Sequence, residues 1–257
     1  MKIKLSRKTV IISYSIIILM FVVFIIFNLD IYKPNFDINI FNAYERKRLN
    51  FVENRKYIFM EPKDNKDINK GIIFYPEGLV DERAYFPLLT ELSKEGYGVY
   101  IIKSPLKLPI LNKNSAKVIL LNGKYKDYTL MGHSLGGSAL FKYLSKGGEE
   151  SKKISSIVLL SSYNDGSYNF DLSHNNKYNK KVLSIVGTND KVINSKNYES
   201  DKIYLPKNTK YLYLQGGNHS YFGNYGKQYK DGEATVTIEH QQYFVLSEVK
   251  KFLNNIS

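Results

Sequence analysis

The sequence contains no cysteine and no tryptophan. Without cysteine there is no disulfide framework, no thiolate metal site and no thiol nucleophile, so a nucleophile must be a hydroxyl, an amine or a carboxylate. The same absence is compatible with a compartment where free thiols oxidise. Acidic residues are scarce beside basic ones, with 24 Asp and Glu against 37 Lys and Arg, and the formal net charge is +13. The lysines are dispersed and no nucleic-acid motif accompanies them, so they read as a solvated surface and nucleic acid is not an expected partner. A basic exterior also suits anionic lipid or wall polymer. There are only four histidines, and no group of His and acidic residues has ligand spacing along the chain. No metal and no organic cofactor is therefore expected.

One long stretch lacks charge altogether. After "MKIKLSRK" come 21 uncharged residues, Thr9 to Leu29, enough at 1.5 Å per residue to cross a hydrocarbon core of roughly 30 Å. No polar face is present, which argues against a buried core helix. No small-x-small site follows in "FNLDIYKPNF", which favours an uncleaved anchor over a cleaved signal. Lys2, Lys4, Arg7 and Lys8 precede the stretch without an acid, so the basic end is expected in the cytoplasm and Asp30 onward outside. The expected organisation is a basic N-terminus over 1–8, a transmembrane anchor over 9–29, a linker over 30–54 that ends in a short helix, and one catalytic domain over 55–257.

Within that domain, apolar runs bounded by turn formers predict strands at 56–60, 71–75, 97–103, 127–132, 154–162, 181–187 and 210–216. Helical spacing predicts helices at 82–96, 113–121, 135–148 and 237–255. This alternation implies an α/β fold with a mainly parallel sheet covered on both faces. The polar stretch 163–180 is the one candidate for a small lid, so the cap is expected to be minimal.

Gly132-His133-Ser134-Leu135-Gly136 fits G-x-S-x-G between a predicted strand and a predicted helix. In that context the serine sits on a sharp turn, the glycines allow close strand–helix approach, and the acid and then the histidine follow in chain order. Ser134 is the candidate nucleophile. A serine hydroxyl needs a base to take its proton. Of the four histidines, His133 adjoins the serine and should point away from it, His174 lies in the polar loop and His240 lies on the closing helix. His219 follows a strand in "QGGNHSYFG", at the sheet edge where doubly wound folds place their sites, and is the candidate base. The acid that orients it is Asp190 in "VGTNDKVI" or, less favoured, Asp165 in "SSYNDG", where Asp-Gly fits a plain turn. The oxyanion hole needs two backbone N–H groups. Leu135 supplies one, and the loop "FYPEGLVDE" supplies the other from Gly78, or from Leu79 if the register slips by one. Glu77 reads either as a pocket residue or as a solvated carboxylate. Tyr221, Phe222 and Tyr225 read either as an acyl-pocket lining or as core.

Taken together, the sequence resembles the α/β-hydrolase family across residues 55–257. It looks most like the small dienelactone-hydrolase-like branch. The closer match rests on "YPEGLVDERAYFPLLTELSKEGY", "KSPLKLPIL", "GHSLGGSAL" and "GGNHSYFGNYGKQYKDGEATVTIEHQQ". The resemblance implies Ser134 as nucleophile, Asp190 as acid and His219 as base. Two departures stand out. Dienelactone hydrolases use a cysteine nucleophile, which this chain lacks, and relatives often carry two small glycines where it has Glu77-Gly78. The expected function is a membrane-anchored serine hydrolase facing outward and cleaving small carboxylic esters through an acyl-enzyme. The rivals are a lipase or phospholipase working on the adjacent membrane, and a non-catalytic surface binding protein on the same scaffold.

Overall fold

The computed structural model describes residues 7–27, 30–64, 69–164, 171–173 and 180–255, and within the first helix the side chains of 9, 19, 22, 23 and 25–27 lie outside the description. The chain divides into two compact units, Met1–Ile31 and Tyr32–Ser257. In the first, the uncharged run forms helix α1, Arg7–Phe27, of 21 residues. Among the described residues no helix is long and apolar enough to cross a membrane, so the expected span is a property of the sequence that the structure does not carry.

Among the described residues, the second unit contains eight strands: β1 Leu49–Glu53, β2 Tyr57–Pro62, β3 Lys70–Tyr75, β4 Gly98–Ile102, β5 Asp127–His133, β6 Ile154–Leu160, β7 Lys181–Gly187 and β8 Lys210–Leu214. They form one sheet in the order β1-β2-β4-β3-β5-β6-β7-β8. The pairs β1–β2 and β2–β4 are antiparallel, and every pair from β4 to β8 is parallel. The sheet is mainly parallel, as the alternation of elements predicts. Its central strands are buried on both faces, which is why they read as unbroken apolar runs.

Side-chain alternation along those strands makes two cores. In β3, Ile72 and Phe74 join one cluster while Ile73 and Tyr75 join the other. The first cluster takes Leu88, Leu89 and Leu92 from helix α3, Phe86–Lys94, and Val245, Val249 and Phe252 from the closing helix α7, Ile238–Asn254. The second takes Ala116, Ile119 and Leu120 from α4, Ser115–Asn122, and Ala139, Leu140 and Phe141 from α5, Leu135–Leu144. Helices therefore cover both faces.

Two elements depart from the sequence reading. Residues 30–54, expected as a linker ending in a short helix, contain such a helix as α2, Ile38–Glu45, capped by the Asp37 carboxylate, but also the unexpected edge strand β1. Only Leu49 of β1 is buried, so the strand shows no apolar run to reveal it. The short helix α6, Ser195–Ser200, buries only Tyr198 and lacks periodicity for the same reason. The proposed lid over 163–180 lies largely outside the described residues.

Candidate active site

The C-terminal ends of the central strands carry an unusual backbone. Leu79 after β3, Leu106 and Lys107 after β4, Ser134 after β5 and Ser161 after β6 all have positive φ without being glycine. Each such residue stores strain on the order of 1–3 kcal/mol, and such strain clusters at functional sites. Ser134 has φ 51° and ψ −120° as the residue that turns β5 into α5. Three hydrogen bonds fix the turn. Ser134 N–H donates to Leu160 O at 3.0 Å, Gly137 N–H donates to Ser134 O at 2.9 Å, and Ser162 Oγ donates to Ser134 O at 2.9 Å. The flanking glycines are required by space. A Cβ on Gly136 would lie 2.1 Å from Tyr75 O, and one on Gly132 would lie 2.7 Å from Gly137 N.

His219 begins a short turn just beyond β8 and is 1% exposed. Its loop is fastened to the rest of the fold from two sides. The Asp231 carboxylate accepts the backbone N–H groups of His219 at 3.2 Å and Ser220 at 2.8 Å, and the Ser220 hydroxyl at 2.7 Å. The Gln241 amide on α7 donates to Asn218 O at 2.8 Å and accepts Asn218 N–H at 3.0 Å. The His219 ring meets Asp190, with Nδ1 2.7 Å from Oδ2. Asp190 Oδ1 accepts Val192 and Ile193 N–H, each at 2.9 Å, so that carboxylate is itself held. Burial works against its charge, but the His219 hydrogen bond and charge keep its pKa below the usual aspartate value.

Ser134 and His219 line one open cavity of about 250 Å³ with Leu135, Ser138, Tyr163 and Ile193. Among the described residues, however, no hydrogen bond joins Ser134 to His219. The other ring nitrogen, Nε2, lies 3.1 Å from Glu77 Oε1. Glu77 is thus neither solvated nor exposed; it is a buried carboxylate, 4% exposed. Tyr225 O–H donates to its Oε2 at 2.7 Å and Gln228 Nε2 to its Oε1 at 3.0 Å. Burial raises its pKa, but the facing histidines, His219 foremost, bring it down to about 2. Burial likewise opposes charge on His219, yet Glu77 and Asp190 together raise it to about 10.

His133 is fully buried. The Tyr85 hydroxyl accepts Glu77 N–H at 3.2 Å, which leaves its proton to face His133 Nδ1 at 2.8 Å. Burial pushes the His133 pKa down to about 3, so the ring is neutral. Its plane stacks at a tilt 4.7 Å from the His219 ring. The nitrogen and oxygen atoms of Glu77, His133 and His219 lie within 4.8 Å of one another, a grouping capable of metal ligation that the linear sequence conceals. In this structure Asp190, Tyr85, Tyr225 and Gln228 hydrogen-bond to members of this group, while His133 Nε2 is buried without a hydrogen-bond partner among the described residues.

The two expected oxyanion donors are also adjacent, since a Cβ on Gly78 would lie 2.8 Å from Leu135 Cδ2. Leu79 N–H donates to Lys107 O at 2.8 Å and is not available. Gly78 and Leu135 N–H donate no backbone hydrogen bond among the described residues. Of the aromatic residues near His219, Phe222 and Tyr225 belong to the core. His240 is exposed on α7. Asp165 and His174 lie outside the described residues.

Comparison with known proteins agrees with this architecture. No curated protein matches the chain. Among solved structures, the chain is similar to the esterase domain of a Rhodothermus marinus protein, at 10% identity and TM-score 0.60, over 82% of this chain and 100% of that one. It is similar to a "predicted CIB-like hydrolase" from Thermoplasma acidophilum, at 14% identity and TM-score 0.57, over 79% and 98%. It is also similar to carboxyl esterase 2 of Tuber melanosporum, at 13% identity and TM-score 0.55, over 85% and 91%. At such identities the likeness is one of fold. The family model described as "Alpha/beta hydrolase family" matches residues 71–243, well over half of the chain. The chain belongs to the alpha/beta hydrolase family.

Proposed function

We propose that the protein is a serine hydrolase that cleaves small carboxylic esters. Ser134 Oγ attacks the acyl carbonyl, and His219 Nε2 takes its proton while Asp190 holds Nδ1–H. The tetrahedral oxyanion is received by Gly78 and Leu135 N–H. The alcohol leaves with the proton that His219 returns, and a water deprotonated by His219 releases the acid from Ser134. The observation that carries this reading is the strained Ser134 turn opening into the same cavity as a histidine held 2.7 Å from a buried aspartate. Esterase structures among the neighbours support the ester class. A cavity of about 250 Å³, lined by four serines and Asn194 beside Leu135, Val192 and Ile193, suits a short acyl group over a long one.

The sequence of the N-terminal segment supports anchorage of this hydrolase in a membrane. Thr9 to Leu29 carries no charge, and the basic residues before it would keep that end in the cytoplasm and the catalytic unit outside.

Hydrolysis of p-nitrophenyl acetate, butyrate and decanoate by the full chain tests the reading. The expected order is acetate and butyrate over decanoate. Ser134→Ala and His219→Ala should abolish turnover, and Asp190→Asn should lower it on the order of 10⁴-fold. An acyl adduct on intact mass should map to Ser134. Turnover undiminished in Ser134→Ala contradicts the proposal, and a preference for decanoate that requires detergent micelles would favour a lipase.

A further inference from the structure

Two buried carboxylates face the two ring nitrogens of His219. Nδ1 faces Asp190 Oδ2 at 2.7 Å and Nε2 faces Glu77 Oε1 at 3.1 Å. The facing ring holds both carboxyl groups below their ordinary pKa values, and an ionised carboxylate only accepts, so a ring bonded to two of them carries a proton on each nitrogen. That ring is an imidazolium. It has no lone pair with which to take the Ser134 proton, and its Nε2–H is directed to Glu77.

We propose that Glu77 is a positioning residue that competes with Ser134 for Nε2 of His219, holds the ring in a charged resting arrangement, and thereby sets the acidic limb of the hydrolase's pH profile. The proposal rests on the serine hydrolase reading above. In the resting arrangement Glu77 is itself held by Tyr225 O–H and Gln228 Nε2. To become a base, His219 releases the Nε2 proton to solvent and keeps Nδ1–H on Asp190. The Nε2 lone pair then faces a carboxylate that offers no proton, and the favourable partner is the Ser134 hydroxyl in the adjoining cavity. No bond to carbon changes in this step; one proton leaves and one hydrogen bond is exchanged for another.

The groups that face His219 come from every element around it. Asp190 approaches from the loop after β7 and Glu77 from the loop after β3. His133 at the end of β5 stacks on the ring and is neutral. Asp231 reaches the backbone N–H rather than the ring. Tyr225 and Tyr85 stand behind Glu77 with hydroxyls that burial keeps protonated. Among the described residues, Glu77 is therefore the one group that both faces Nε2 and favours its protonation. The charge on His219 is consistent with its raised pKa.

The test is the rate of labelling of the full chain by a fluorophosphonate from pH 5 to 10, for wild type and Glu77→Gln. In the wild type, labelling should be slow at pH 7 and rise with an apparent pKa above 8. In Glu77→Gln the limb should move down by at least about one unit, making labelling at pH 7 about tenfold faster or more. An unmoved limb, or slower labelling at every pH, overturns the role of Glu77 while leaving Ser134 as a labelled nucleophile. A wild type that labels at no pH removes the hydrolase reading and this role with it. Should the variant not fold, NMR titration of the His219 imidazole in the wild type decides the matter. Titration above pH 8 supports the pairing, and titration at or below the ordinary histidine value overturns it.

Discussion

At the residue scale, the two buried histidines are driven in opposite directions by their surroundings. Burial dominates at His133 and depresses its pKa from 6.5 to about 3, so between those values the unfolded chain binds a proton that the folded chain refuses. Stability should therefore fall as pH drops from about 6.5 towards 3. At His219 the two carboxylates overcome burial and raise the pKa from 6.5 to about 10. Its contribution is complete below about 6.5 and is lost as pH rises towards 10. Urea unfolding midpoints should thus peak near neutrality and decline on both sides. His133→Gln should flatten the acid side between pH 6.5 and 4.5, above the range in which the carboxylates titrate. An acid-side slope unchanged by that substitution would contradict the account of His133. The residues differ in how far the sequence discloses them. Ser134 is legible because its determinants are local, a strand, two glycines and a helix in one short stretch. The Glu77–His133–His219 cluster is not, because three separate strand ends must converge before its members meet.

At the scale of elements, the turn from β5 to α5 shows how packing prescribes a residue type. Gly136 lies against the backbone of β3, and a Cβ there would stand 2.1 Å from Tyr75 O and 2.5 Å from Pro76 O. Both obstacles are main chain, which cannot rotate aside. Gly136→Ala should cost about 1–3 kcal/mol in unfolding free energy and should also displace the Gly78 loop, lowering esterase activity in the protein that still folds. Denaturant unfolding beside an activity assay checks both, and a variant as stable and active as the wild type would refute the packing argument. The central strands β3, β4, β5, β6 and β7 were legible as apolar runs because both of their faces are covered. The edge strand β1 was not, because four of its five residues retain exposure and its pairing with β2 is what defines it. The loop carrying His219 depends on partners 12 and 23 residues away, Asp231 and Gln241. Such partners follow from the fold and leave no mark in a local pattern.

At the scale of the whole molecule, charge and hydropathy set the N-terminal stretch apart from the rest of the chain. Four of the thirteen net positive charges fall within residues 1–8, where no acid offsets them, and the rest of the chain carries +9. If residues 9–29 anchor the protein, the full chain should sediment with membranes and resist alkaline carbonate extraction, while a protease added outside intact cells should reach the catalytic unit. Recovery of the full chain in the soluble fraction would contradict the anchor without touching the chemistry of the site. That chemistry depends on the parallel strands ending at one edge, so that residues from Ser134 to His219 line a single cavity.

The central claim is that Ser134 is a nucleophile activated by His219. The most direct measurement is covalent labelling of the full chain by a fluorophosphonate, in wild type, Ser134→Ala and His219→Ala, each first shown to be folded. The account predicts one label on the wild type, located at Ser134 by peptide mapping, and no label on either variant. A folded wild type that takes no label at any pH, or a label that persists in Ser134→Ala, would contradict it.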